Sequence, residues 1–373
     1  MEYISAQDAA TKWGISKRRV QALCASHRIE NAVRVGNMWI LPEDSEKPSD
    51  RRVKHKKADI LMTCKTNPIR IARNQIKAIS TKGIQLFLAE GRSLRKAKMD
   101  IITIFASELL AYYAHSSDTN ASYSLVCQIA ESGEEKSTNT LILQSLIREF
   151  ISQHEFFCDD SLSWCYQYIN KVGENIPYST TQFFTEKYMV STLVDSLHIE
   201  PGMKLMDPAC GGGNFLLYCL DVLAEEHLTG ISRSTEMIEG LNRILGNVYG
   251  YEIDPCLAVV ASINLRLKCV ALLAKHCGHC DIYDFNSFSP QIFFPVEDTI
   301  GGALDAGFLP QTIRVVGKPF GVNIQDIFQE IDIIATNPPF QTVKGMDKKQ
   351  KEYLKHYYPQ CKCDMCNAFI ELS

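Results

Sequence analysis

The stretch Asp207-Pro208-Ala209-Cys210-Gly211-Gly212-Gly213-Asn214-Phe215 decides the fold of the central part of this chain. A short apolar segment, Met203 to Met206, precedes it, and apolar residues at helical spacing follow from Leu216 to Leu223. This order predicts a strand, a glycine turn and a helix. Glycines let the backbone of such a turn approach a ligand, and the helix turns its first N–H groups toward that ligand. The stretch therefore predicts an α/β fold with a binding site at a strand end.

A second motif, Asn337-Pro338-Pro339-Phe340, follows another apolar segment from Ile331 to Thr336. Together the two motifs resemble those of the S-adenosylmethionine-dependent adenine-N6 DNA methyltransferases. The resemblance implies a Rossmann-like class I methyltransferase sheet that uses S-adenosyl-L-methionine as its cofactor. Asn-Pro-Pro-aromatic motifs also occur in enzymes that methylate protein glutamine and in some RNA methyltransferases, so those classes remain alternatives.

Two segments before the glycine turn narrow the resemblance. Trp164-Cys165-Tyr166-Gln167-Tyr168 and the stretch from Ile176 to Thr185 are similar to the lead-in of type IIG and BREX-type adenine methyltransferases. The family pattern places Phe184 and Thr185 against the methionine end of the cofactor. Proline commonly follows that threonine, and Glu186 stands here instead.

Acidic residues at strand ends are the next cofactor candidates. Glu252 ends the predicted strand that begins at Asn247, where a carboxylate can accept both hydroxyls of a ribose. In the resemblance Asp207 helps to hold the ammonium of the cofactor. For the acid that accepts the cofactor's adenine amino group we choose Asp326, with Asp281 and Asp284 as alternatives. The full set of predicted cofactor contacts is Phe184, Thr185, Asp207, Ala209, Gly211, Gly213, Asn214, Phe215, Glu252, Ile253 and Asp326.

The catalytic motif matches the chemistry of a poor nucleophile, because the lone pair of adenine N6 is delocalised into the ring. The side-chain oxygen of Asn337 and the carbonyl of Pro338 can accept the two N6 hydrogens and favour a tetrahedral amine. Pro338 and Pro339 stiffen the loop, so that these acceptors are preorganised. Phe340 offers a ring on which a flipped base can stack. We therefore predict Asn337, Pro338, Pro339 and Phe340 as the catalytic residues.

The N-terminus predicts a small DNA-binding unit. Ser5 is placed to cap a helix from Ala6 to Trp13, and Ser16 to cap a second helix to about Ser26. Two β-rich segments around Gly36-Asn37 then form a hairpin. The unit resembles the excisionase or MerR-like winged helix-turn-helix family, with a small protein-binding module as the alternative. The predicted DNA contacts are Lys17, Arg18, Arg19 and Arg34.

Apolar patterns and charge divide the chain into four parts. We predict a winged helix-turn-helix at 1–46, a basic linker at 47–67, an all-α domain at 68–175 and the methyltransferase domain at 176–373. Apolar stripes, one of which includes Leu141, predict the helices of the third part. Residues 286–320 form an insertion without a predicted role. The family fold continues past the Asn-Pro-Pro-Phe strand, so we expect a truncated domain that is inactive alone and poorly stable.

The charge distribution and the cysteine content indicate which kind of partner and which cellular compartment to expect. Residues 1–73 hold 15 Lys+Arg against 8 Asp+Glu, a net of +7, and the remainder holds 24 against 35, a net of −11. A basic N-terminus on an acidic body indicates a polyanionic partner. Neither a signal peptide nor an apolar stretch long enough to span a bilayer is recognised, which predicts a cytoplasmic protein that binds no membrane. The 14 cysteines then read as reduced thiols.

Two CxxC pairs, Cys277 to Cys280 and Cys363 to Cys366, offer ligands that zinc accepts. Their separation exceeds that of compact zinc ribbons, so we prefer buried thiols and predict no metal. The predicted function is adenine-N6 methylation of double-stranded DNA in a restriction-modification or phage-defence system. A specificity or nuclease partner, or the other half of a split enzyme, is an expected partner. An inactive DNA-binding regulator is the main alternative.

Overall fold

The computed structural model divides the chain into two compact units, residues 1–67 and 68–373. It describes residues 3–25, 28–29, 31–35, 38–47, 67–134, 136–172, 185, 187–200 and 202–372. The predicted linker at 47–67 lies outside these residues except for its two end residues. Phe184 also lies outside them. Each unit is described by itself.

The first unit is a three-stranded antiparallel sheet with two helices. Its elements are β1 (Tyr3–Ser5), α1 (Ala6–Trp13), α2 (Lys17–Ala25), β2 (Val33–Val35) and β3 (Met38–Pro42), with the strand order β1-β3-β2. The Ser5 hydroxyl accepts the N–H of Asp8, whose carboxylate in turn accepts from Ser5, and Gly14 ends α1 with φ of 62°. Both predicted helices and both hairpin strands are therefore present. The pairing of β1 with β3 was not predicted.

The second unit begins with five helices, as the apolar pattern from 68 to 171 predicted. They are α3 (Pro68–Ala89), α4 (Leu94–Tyr113), α5 (Thr119–Ile129), α6 (Thr138–Gln153) and α7 (Cys158–Asn170). Every residue of α4 from Asp100 to Ala111 is buried, so this helix forms the centre of the bundle. Its two buried acids are paired, Asp100 with Arg92 and Lys96, and Glu108 with Arg148. The helix predicted around Leu141 is present as α6, but the Leu141 side chain lies on its outer face and not with the buried part of the apolar stripe.

The rest of the second unit is a six-stranded sheet with helices. The strands are β4 (Leu205–Asp207), β5 (Val248–Tyr251), β6 (Gln291–Pro295), β7 (Thr312–Val315), β8 (Gly321–Asn323) and β9 (Ile333–Ile334). The helices are α8 (Lys187–Val194), α9 (Asn214–His227), α10 (Ser234–Leu245), α11 (Pro255–Cys277), α12 (Ile324–Phe328), α13 (Lys348–Tyr357) and α14 (Met365–Leu372). Short 3-10 turns lie at Glu155–Phe157, Ile282–Ser287 and Gly302–Gly307.

The strand order is β8-β7-β6-β5-β4-β9, with β6, β5, β4 and β9 parallel and β7 and β8 antiparallel to their neighbours. This is a Rossmann-like sheet, as predicted. The carboxyl ends of β5, β4 and β9 lie side by side, which brings Glu252, Asp207 and Asn337 to one edge. The span 286–320 now has a structural role, since it supplies β6 and β7 and the 3-10 turn at Gly302–Gly307.

Helix α11 corrects one expectation from the sequence. By length and composition this helix of 23 residues is apolar enough to cross a membrane. However, 78% of the apolar window is buried inside the protein, where α11 packs against α4, α7 and β6. The helix is therefore the core helix of the second unit, which joins the helical bundle to the sheet.

Candidate active site

The glycine turn after β4 adopts a conformation that needs glycine at two positions. Gly211 and Gly213 have φ of 55° and 88°, in the left-handed region that side chains disfavour. A β-carbon on Gly213 would also lie 3.5 Å from that of Ala261 on α11. The turn is held to the sheet because the N–H of Cys210 donates to the carbonyl of Tyr251 at 2.9 Å.

The Glu252 carboxylate lies beside this turn and is 7% exposed. Its Oε2 accepts the backbone N–H of Gly211 at 3.0 Å, and its Oε1 accepts the N–H of Asp254 at 3.0 Å. Burial raises the pKa of Glu252 to about 8, although these two backbone donors favour the ionised form. Each oxygen keeps a lone pair, so the carboxylate can accept two further hydrogens.

Asp207 is more deeply buried, at 1% exposure. Its Oδ1 accepts the N–H of Ala209 at 3.1 Å, and burial raises the pKa of the carboxyl to about 7. Two acids whose pKa values lie near neutrality, at adjacent strand ends, mark a site adapted to a ligand.

Thr185 joins the two motifs that the sequence singled out. Its hydroxyl accepts Nδ2 of Asn337 at 3.0 Å, and its carbonyl accepts Nδ2 of Asn214 at 3.0 Å. The amide oxygen of Asn214 is buried and has no hydrogen-bond partner within the described part of the chain. An unpartnered buried acceptor is rare in a native site, and a cationic or N–H ligand would satisfy it.

Two adjoining cavities lie at these strand ends. The larger is an open cleft, and the smaller lies beside Asp207 and Thr185. Both are lined by Ala209, Gly211 and Asn337. The glycine turn and the Asn-Pro-Pro-Phe loop therefore face the same space.

Comparison with known proteins identifies the family of this chain. The sequence profile of N-6 DNA methylase matches residues 158–372, more than half of the chain. The chain belongs to the N-6 DNA methylase family. The family implies S-adenosylmethionine as the methyl-donor cofactor.

Two solved structures are similar to this methylase. One is described as the cryoEM structure of a DrdV–DNA complex, with 15% identity and a TM-score of 0.42 over 84% of this chain and 31% of that one. The other is assigned as a class I S-adenosylmethionine-dependent methyltransferase from Listeria monocytogenes, with 13% identity and a TM-score of 0.31 over 74% of this chain and 68% of that one. This chain spans about a third of the length of the DrdV chain.

Most of the predicted site residues of the methylase lie together. The residues that line one or both cavities are Thr185, Asp207, Ala209, Gly211, Asn214, Phe215, Glu252, Ile253, Asn337 and Pro339. Gly213 shapes the turn without lining either cavity, and Pro338 connects two lining residues. The ring of Phe340 is 59% exposed next to the cleft. Phe184 lies outside the described residues.

Asp326 is not brought to this site. It is exposed on α12, which follows the antiparallel strand β8, and it lines neither cavity. The alternatives Asp281 and Asp284 precede β6, so they lie at the opposite edge of the parallel strands, where they cap a 3-10 helix. The cleft is lined on this side by Ile300 to Ala303, which follow the carboxyl end of β6.

The sequence did not predict this segment, nor several side chains from the loop after the Asn-Pro-Pro-Phe motif and from the C-terminal helices α13 and α14. Gln341, Gln350, Met365 and Phe369 all line the cleft. One signal was available, the pair Gly301-Gly302 inside the unexplained insertion. A β-carbon on Gly301 would lie 2.1 Å from the hydroxyl of Tyr353, so no larger residue fits there without a shift.

The predicted DNA contacts and the cysteine pairs lie elsewhere. Lys17, Arg18 and Arg34 are exposed on the first unit, and the side chain of Arg19 is not described. Across the described ranges no three His, Cys, Asp or Glu side chains are grouped as metal ligands would be. Cys280 is buried, whereas Cys363 is exposed, which corrects the expectation of buried thiols at that position.

Proposed function

We propose that this methylase transfers a methyl group from S-adenosylmethionine to adenine N6 in DNA. The observation that carries the proposal is the position of Asn337. It lines both cavities, and its amide nitrogen is engaged by the Thr185 hydroxyl. The amide oxygen is then the remaining group of this side chain that can accept an N6 hydrogen.

The residues of the two cavities fit the donor. The unpartnered oxygen of Asn214 and the carboxylate of Asp207 suit an ammonium group in the smaller cavity. Glu252 has the free lone pairs that two ribose hydroxyls need, and the apolar lining of the cleft, which includes Ile253, Met365 and Phe369, suits a purine ring. The bound donor supplies a methyl group on a positively charged sulfur.

The Asn-Pro-Pro-Phe loop supplies the base side of the reaction. The Asn337 oxygen and the Pro338 carbonyl accept the two N6 hydrogens and so localise the nitrogen lone pair for in-line attack. Phe340 presents an exposed ring for stacking of an extruded base. This proposal requires no strong base, because the N6 proton is lost after the methyl group has been transferred.

The charge of the first unit supports a nucleic acid over a protein as the substrate, and its two helices and hairpin, which resemble a winged helix-turn-helix, favour duplex DNA over RNA. Its exposed Lys17, Arg18 and Arg34 belong to the segment with a net charge of +7, and such groups contact phosphates. We extend the proposal to a winged helix-turn-helix at 1–46, a linker at 47–67, a helical domain at 68–175 and the catalytic domain from 176. A cytoplasmic restriction-modification or phage-defence role, with a specificity or nuclease partner, completes it.

The test replaces the gene in its own genome by an Asn337→Ala allele. Genomic DNA from both strains is sequenced for N6-methyladenine, and total protein and RNA are analysed for methylated residues. We expect one adenine-containing sequence motif to lose its methylation in the Asn337→Ala strain. An allele with Asn323→Ala, which removes the side-chain cap of α12 away from the cleft, should keep it.

Different outcomes separate the alternatives. Loss of methylglutamine or of an RNA methylation instead would overturn DNA as the substrate. Unchanged methylation in all three fractions would support the inactive regulator. Purified wild-type protein is titrated with S-adenosylhomocysteine in parallel, because donor binding tests the cofactor site independently of the substrate.

A further inference from the structure

Helix α7 of the bundle reaches both donor-facing loops through hydrogen bonds, of which one set is part-buried and the other buried. The first connection starts at Tyr166, whose hydroxyl donates to Oδ2 of Asp254. The backbone N–H of Asp254 donates in turn to Oε1 of Glu252 at 3.0 Å. The other oxygen of Asp254 accepts the N–H of Cys256 at 2.9 Å and so caps α11.

The second connection starts one helical turn earlier, at Ser163. Its hydroxyl accepts Nδ2 of Asn264 at 3.0 Å. The same amide nitrogen donates to the carbonyl of Gly212 at 2.9 Å, in the middle of the glycine turn. Because Ser163 and Tyr166 are three residues apart, they lie on one face of α7.

We propose that Ser163 and Tyr166 are positioning residues for the donor site, and that α7 fixes the glycine turn and Glu252 relative to each other. The inference rests on the donor site of the proposed function. Neither residue lines the two cavities, so each acts through Asn264 or Asp254.

Burial makes these connections specific. Ser163, Tyr166 and Asn264 are each less than 7% exposed, so bulk water does not replace a lost partner. Desolvation and the neighbouring Asp254 raise the pKa of Tyr166, which keeps its hydroxyl protonated and able to donate. Asp254 is half-buried, and a hydrogen bond from a neutral donor to an ionised carboxylate is among the stronger ones in proteins.

The helix itself is held firmly at its other faces. The hydroxyl of Tyr113 donates to Asp159 at 2.7 Å, and Lys268 bridges Asp159 and Asp221. The guanidinium of Arg73 lies 3.9 Å from the ring centre of Trp164. Because α7 is fixed and its hydrogen bonds lead to both loops, it sets the distance between the Glu252 carboxylate and the glycine turn. In the proposed function the first faces the ribose and the second faces the methionine.

The test measures the affinity for S-adenosylhomocysteine by calorimetry on the purified protein. Tyr166→Phe removes only the hydroxyl, and we expect about tenfold weaker binding, with about threefold for Ser163→Ala. The matched control is Tyr113→Phe, which removes a phenol–carboxylate bond to the same helix that leads to neither loop. It should change the affinity less than twofold, while its melting temperature falls about as much as that of Tyr166→Phe.

A double-mutant cycle separates positioning from general destabilisation. If Tyr166 acts through Glu252, adding Tyr166→Phe to Glu252→Gln should weaken binding less than twofold further. A full tenfold further loss overturns the connection through Glu252. Equal loss of affinity in Tyr113→Phe, or normal affinity in Tyr166→Phe, overturns the role of α7. Failure of the wild-type protein to bind S-adenosylhomocysteine at all overturns the donor site itself, and the role of α7 with it.

Discussion

The two halves of the candidate site differ in how they are held. The donor half, built from the glycine turn and Glu252, follows β4 and β5 inside the sheet, and its acids are almost fully buried. The acceptor half, Asn337 to Phe340, follows β9, a two-residue strand at the end of the sheet, and the Phe340 ring is mostly exposed. The donor half is therefore preformed, whereas the acceptor half is open to solvent.

This difference follows from what each half must bind. A small donor is held best by preorganised groups, since little ordering free energy is then lost on binding. In the proposed function an extruded base must reach Phe340, and the exposed ring suits that contact. We therefore expect substitutions on the donor side to change the dissociation constant of the donor, and substitutions on the acceptor side to change the rate of methyl transfer.

The largest effect is expected for Asn337→Ala on the acceptor side. Measured in the complete enzyme, the methyl-transfer rate should fall about 10²–10³-fold, because a preorganised group that acts on the transition state is lost. The dissociation constant for S-adenosylhomocysteine should change less than threefold. Single-turnover methylation of a duplex and calorimetry check these values, with Asn323→Ala as the control. A large loss of affinity for S-adenosylhomocysteine in Asn337→Ala would contradict the separate roles of the two halves.

Glu252→Gln is the corresponding change on the donor side. The amide has one acceptor oxygen, so its NH₂ group must face the N–H of either Gly211 or Asp254. Donor affinity should fall about 10–100-fold, as for a lost hydrogen bond to a charged group. Calorimetry measures it, and Glu236→Gln on the exposed face of α10 should have no effect. Unchanged affinity would remove Glu252 from the donor site.

The pH dependence of donor binding gives a third comparison. With pKa values of about 7 for Asp207 and about 8 for Glu252, both acids are partly protonated at neutral pH. Affinity for S-adenosylhomocysteine should rise on the order of tenfold between pH 7 and 8.5 as they ionise. Titrations at several pH values measure this, and Glu252→Gln should flatten the upper part of the rise.

Stability of the ligand-free protein should move in the opposite direction. Folding raises both pKa values, so the folded state binds more protons than the unfolded state. The stability that these two groups contribute is fully present below their unfolded pKa values near 4, and it is lost as the pH rises through about 7 and 8. Melting temperatures without ligand, measured from pH 5.5 to 8.5, should therefore fall, whereas a constant or rising value would contradict the burial of these acids.

The smallest effect is expected for Gly213→Ala, compared with Gly230→Ala. The two glycines have φ of 88° and 90°, so each substitution should destabilise the fold by about 1–2 kcal/mol. Only Gly213 belongs to the donor turn, and a β-carbon on Gly230 meets nothing within 4 Å. Donor affinity should fall a few-fold for Gly213→Ala alone. Chemical denaturation and calorimetry together distinguish the two.

The sequence by itself determined the α/β fold, the glycine turn and the two acidic strand ends. These are local features, because left-handed turns require glycine and apolar strands end where the pattern breaks. The first-unit helices were equally local, since Ser5 and Gly14 mark the ends of α1. The family resemblance added Asn337 and Thr185, whose hydrogen bond spans 152 positions of the sequence.

Only the tertiary structure decided which residues close the cleft. Asp326 is close in sequence to the catalytic motif, but the antiparallel pair β7 and β8 carries it to the far end of the sheet, while Ile300 to Ala303 take the place beside Ile253. The connections from Ser163 and Tyr166 likewise depend on α7 packing against α11. Strand order and helix packing are set by long-range burial, and no local pattern encodes which distant groups they bring together.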